Sequence, residues 1–91
     1  MCRNIKTLFN FDPPATKQEV RAAAEQYVRK ISGFAKPSKA NEDAFEEAVK
    51  EITAVSSHFL RHLHTTAQPK NRAEEVLKAK ERAAKRFGVP A

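Results

Sequence analysis

Ninety-one residues contain one cysteine, two glycines and no tryptophan. A single thiol closes no internal disulfide, so the chain is expected in a reducing compartment, with the cytoplasm as the default. No apolar run exceeds four residues, which argues against a membrane span. Arg3 and Lys6 are followed by "TLFNFDPPAT", which is not the apolar core of a secretory signal, so none is expected. Scarce glycine and the lack of a strongly alternating segment argue against strands. Large apolar residues are also in short supply: 15 of the 37 hydrophobic residues are alanine, leaving 21 larger ones besides Cys2. A chain this small buries a modest share of its surface in any case. Its helices are therefore expected to pack closely, with part of their apolar surface buried against another copy of the chain.

What is abundant is charge and helix-forming residues. The net charge is +6, and it is unevenly spread. Residues 1–40 carry eight Lys/Arg against three Asp/Glu, residues 41–67 carry two against five, and residues 68–91 carry seven against three. Such a basic–acidic–basic order suits an acidic helix between two basic ones, and it leaves basic surface for nucleic acid or another polyanion.

The expected fold is all-α, a single helical domain over residues 1–91, with a short N-terminal helix followed by three longer amphipathic helices. Residues 3–10 place Ile5, Leu8 and Phe9 at helical spacing, and "FDPPAT" ends that segment because a residue before proline leaves the α region. Thr16 opens the second helix with the capping box "TKQE". Val20, Ala24, Tyr27, Val28 and Ile31 form its apolar stripe, and Arg21, Glu25 and Arg29 pair on the other face. Gly33 is placed to end it, with Phe34 covering Val28. Asn41 is expected to cap the third helix, whose stripe runs from Phe45 through Ala48, Val49, Ile52, Val55, Phe59 and Leu60 to Leu63. That stripe covers about six turns and marks the third helix as the spine of the core. Asn71 caps the fourth helix, where Val76, Leu77, Ala83, Ala84 and Phe87 form the stripe and Gly88 the stop. Lys80 falls inside this stripe. Its amine is expected to snorkel to water or meet an acid on a neighbouring chain, the sharper alternative being a desolvated lysine of depressed pKa.

The words "MCRNIKTLFNFDPPAT", "QYVRKISGF" and "KPSKAN" followed by "AF" resemble those of a family of small, mostly bacterial proteins known as a domain of unknown function. The resemblance runs from residue 1 to about residue 53, with a fainter echo in "AKERAAKRFG". It implies a small helical protein and carries over no activity, cofactor or catalytic residue. The histidines lie outside it.

Four groups of residues carry possible chemistry. Cys2, beside Arg3, Asn4 and Lys6, is a candidate thiolate, because neighbouring cations lower a thiol's pKa. If Met1 were removed, Cys2 could act as a nucleophile with its own amine as base. Without an identifiable orienting acid or oxyanion hole, a packed thiol is the plainer reading. His58 and His62 stand four apart, the spacing that lets two imidazoles share a metal ion, but two ligands are too few and His64 lies on the opposite flank. Lys36, Ser38, Lys39 and Asn41 lead into the third helix and form an anion-binding candidate without P-loop spacing. Arg21, Arg29, Lys30, Lys85 and Arg86 are the nucleic-acid candidates. Against specific reading of DNA, the eight-residue connection is too long for a helix-turn-helix, and aromatic residues are too sparse for a single-strand stacking platform. The leading expectation is a non-enzymatic homo-oligomer without cofactor. A polyanion-binding module and N-terminal thiol or metal chemistry are the alternatives.

Overall fold

Local signals start and stop the helices. In the computed structural model, which describes residues 4–87, α1 spans Lys17–Ser32, α2 Glu42–Arg61 and α3 Arg72–Phe87. The capping box forms as expected: Glu19 N–H donates to Thr16 Oγ1 at 3.2 Å and Thr16 N–H donates to Glu19 Oε1 at 3.0 Å. Gly33 ends α1 at φ 77°, a left-handed conformation that costs glycine little, and its N–H donates to the Arg29 carbonyl. Glu25 pairs with both Arg21 and Arg29 across one turn. At the start of α3, Glu74 N–H donates to Asn71 Oδ1 at 3.1 Å, so Asn71 caps that helix.

Asn41 does not cap α2. A 3₁₀ turn over Lys39–Asn41 feeds straight into the helix, leaving Asn41 at φ −110°, ψ 1° rather than in the extended geometry a side-chain cap uses. Its amide donates to Ser38 Oγ instead, at 2.7 Å.

Among the described residues three α-helices form, not four. The described part of the N-terminal segment is not helical, because one or two isolated turns fix more backbone than their hydrogen bonds repay. It is held open by contacts at both ends. Asn4 N–H donates to Gln26 Oε1 on α1. Asn10 adopts φ 65°, a region asparagine visits more readily than most residues, and its side chain donates to the Ala67 and Gln68 carbonyls. Lys70 N–H donates to the Asn10 carbonyl at 2.8 Å. This brings β1 (Phe11–Asp12) into a two-residue parallel ladder with β2 (Lys70–Asn71). A strand this short carries no alternating signature, which is why none was expected.

The core lies between α1 and α2. Val20, Ala24 and Val28 are buried on α1, and Val49, fully buried, on α2. Phe45, Ala48 and Ile52 pack against them. Thr53 is buried too, its hydroxyl satisfied by the Val49 carbonyl at 2.6 Å. Residues from the start of α1 and from the middle and end of α2 line the same cleft.

Only the N-terminal half of the α2 stripe, Phe45 to Ile52, does what a spine requires. The helix stops at Arg61, short of Leu63, and Val55 and Phe59 remain 65% and 60% exposed. The helix that would cover them does not fold back: among the described residues α3 has no packed interface with α1 or α2 along its length. Its own Val76 and Leu77 are 54% and 59% exposed, and Lys80 is exposed rather than desolvated. The result is a single flattened layer, 48 × 35 × 16 Å, with a radius of gyration of 16.2 Å. A globular chain of this length would have about 12 Å.

Candidate functional site

The extended N-terminal segment forms one side of a concavity. It lies across the open flank of the α1–α2 pair and leaves a cleft of about 810 Å³, within the range of small-molecule sites, roughly 300–1,000 Å³. Leu8, Phe9 and Phe11 form one wall. Val20 of α1 and Leu60 of α2 contribute apolar surface opposite, and Lys17, Lys50 and Arg61 join the lining from the two helices.

That wall is pinned from outside by Arg72, the first residue of α3. Its Nη1 and Nη2 donate to the two carboxylate oxygens of Glu19, each at 2.9 Å. Its Nε donates to the Pro13 carbonyl at 2.6 Å, and the guanidinium lies 5.6 Å from the Phe11 ring centroid. Lys70 Nζ lies 5.7 Å from the same centroid. Glu19 is thus shared between the helix cap and the clamp. The Arg72 hydrogen bonds, followed by that from the Thr16 backbone, draw its carboxyl from an ordinary 4.5 down to about 2. The same hydrogen bonds raise Arg72. Sequence reading assigned Glu19 only to the cap and did not pair it with Arg72, because 53 residues separate them.

The residues singled out by sequence are dispersed. Cys2 and Arg3 lie outside the described residues. Asn4 reaches the C-terminal end of α1, where it shares a shallow depression with Gln26, Arg29, Lys30 and Phe34. Lys36, Ser38 and Lys39 line neither this depression nor the cleft. The helix start they lead into already carries Glu42 and Asp43 in its first turn, which offset its dipole and oppose an anion.

His58 and His62 face each other with ring centroids 4.2 Å apart and planes inclined by 30°. Nδ1 of His62 donates to the His58 carbonyl at 2.8 Å, so the rings stack and one nitrogen is occupied by backbone. Among the described residues no group of three His, Cys, Asp or Glu side chains is placed to hold a metal ion.

The basic candidates lie on α1 and α3. Arg21 is engaged by Glu25 and Glu46, which raise its pKa through the Glu46 hydrogen bond above all. Arg29 is engaged by Glu25. Lys30 sits at the end of α1, and Lys85 and Arg86 in the last turn of α3. No helix among the described residues is long and apolar enough to cross a membrane.

No curated protein and no solved structure matches the chain. The family model described as an uncharacterized conserved protein (DUF2277) matches residues 1–78, and the chain belongs to that family.

Proposed function

We propose that this protein is a non-catalytic assembly module whose working form is a homo-oligomer. The observation that carries the reading is a surplus of surface. The chain exposes 7480 Å², where a folded monomer of its mass would expose about 5,300 Å². The difference of about 2,000 Å² exceeds the ~800 Å² that each partner commits to a standard interface. A single layer of helices has no second layer to cover its apolar faces, and stable domains are built from at least two.

A second copy of the chain fits these faces by charge as well as by hydrophobicity. Glu47 and Glu51 share a flank of α2 with the exposed Val55 and Phe59 at four-residue spacing. On α3, Lys80 lies one turn beyond the exposed Val76. Placing α3 of one copy on the α2 flank of another covers both apolar pairs and gives Lys80 an acidic partner. The reading is tested by sedimentation at micromolar concentration. The wild-type chain is expected above monomer mass, and a Phe59→Glu, Val76→Glu variant at monomer mass with its helix content kept, since both positions are exposed. A stable, compact wild-type monomer refutes it.

A further inference from the structure

We propose that the cleft between the N-terminal segment and the α1–α2 pair binds an aliphatic amphiphile with one anionic head group, a fatty carboxylate or an alkyl phosphate. The floor is apolar: Leu8, Phe9, Val20 and Leu60 contribute, and Val20 is buried. The charged side chains that line it are all cations, Lys17, Arg21, Lys50 and Arg61, with no carboxylate among them. Arg21 is held by Glu25 and Glu46. Lys17, Lys50 and Arg61 have no ion-pair partner among the described residues.

These three free cations frame the floor. Lys17 lies in the first turn of α1 and Arg61 in the last turn of α2, and both line the cleft. Lys50 stands about 16 Å away along α2, at a rise of about 1.5 Å per residue. Apolar surface answers a tail, and a cation at either end answers a head group through charge-assisted hydrogen bonds. A neutral oil leaves the cations unused, and a bare inorganic anion leaves the floor wet.

The same charge pattern argues against a second copy here. Of the helices with unburied apolar surface, α3 carries Lys78, Lys80, Arg82 and Lys85 along its length. Like charges would face each other if it entered the cleft. The inference therefore concerns a different surface from the α2 flank and holds for a monomer as well as for an oligomer.

The test is a nitrogen-15 NMR titration of the full chain with laurate and with dodecyl phosphate at about 150 mM salt. Saturable shifts are expected at Leu8, Ala54, Ser57 and Leu60 for at least one of the two. Lys50→Glu with Arg61→Glu should weaken that binding about tenfold or more. Lys36→Glu with Lys39→Glu, the same change in net charge away from the cleft, should leave it unchanged.

The proposal is overturned by no saturable binding, by octyl glucoside binding as tightly as laurate, by inorganic phosphate competing as well as the alkyl phosphate, or by equal weakening by the control pair. Shifts centred on Val55, Phe59, Val76 and Leu77 also overturn it. So does capture by phosphatidylglycerol vesicles without binding of dispersed laurate, which marks a membrane surface instead. Sedimentation of the same samples reads the oligomer separately, so a monomer that binds laurate in the cleft refutes the assembly reading and leaves this one standing.

Discussion

Glu19→Gln isolates the contact that ties α3 to the rest of the chain. Glutamine keeps the capping box, which accepts Glu or Gln at this position, and removes only the charge that Arg72 clasps. In the folded chain the Glu19 carboxyl titrates at about 2 instead of 4.5. At about 1.4 kcal/mol per pKa unit this caps the contribution near 3 kcal/mol. The Glu19 and Arg72 side chains are 24% and 32% exposed, and solvent screening at a pair this open lowers the figure to about 1–2 kcal/mol. Because the folded pKa is depressed, the stabilisation is complete above pH 4.5 and is lost as the pH falls through about 2. Urea unfolding at fixed protein concentration should therefore show Glu19→Gln less stable by about 1–2 kcal/mol at pH 7, with the gap closing between pH 4.5 and 2. A double cycle with Arg72→Met should show most of the loss as coupling. A gap that does not change with pH, or a coupling near zero, would refute the clamp as an energetic contact.

Two further changes probe the folded layer itself. Val49→Ala, at a fully buried side chain of the core, should cost about 2 kcal/mol in chemical denaturation through lost burial and the cavity left behind. Gly33→Ala meets no atom within 4 Å of a new Cβ but must hold φ at 77°, so it should cost roughly 1 kcal/mol by backbone strain alone, read as a lower thermal midpoint with an unchanged oligomeric state.

Helix content and most helix ends were legible in the sequence because their causes are local. Thr16 and Glu19, Asn71 and Glu74, and Gly33 act within a turn of themselves, and the Arg21–Glu25–Arg29 ladder follows from a four-residue spacing. Asn41 misled because the same residue type serves a 3₁₀ entry as readily as a cap, and which occurs depends on the path of the loop before it. The stripe on α2 was read correctly as apolar, yet apolarity does not say what covers it. Phe59 and Val49 belong to one stripe in the sequence, yet Val49 packs against α1 and Phe59 stays exposed.

The amino-acid sequence by itself determined three amphipathic helices, their polarity, the uneven charge and the shortage of large core residues, since each of these is a property of neighbours along the chain. Only the tertiary structure decided that the N-terminal segment is an extended wall, that Arg72 grips Glu19 across 53 residues, and that a basic-rimmed apolar cleft lies between them. Those outcomes depend on contacts between residues far apart in the chain, which no local spacing encodes. The same holds for the exposed faces of α2 and α3, whose burial requires surface that one copy of the chain does not supply.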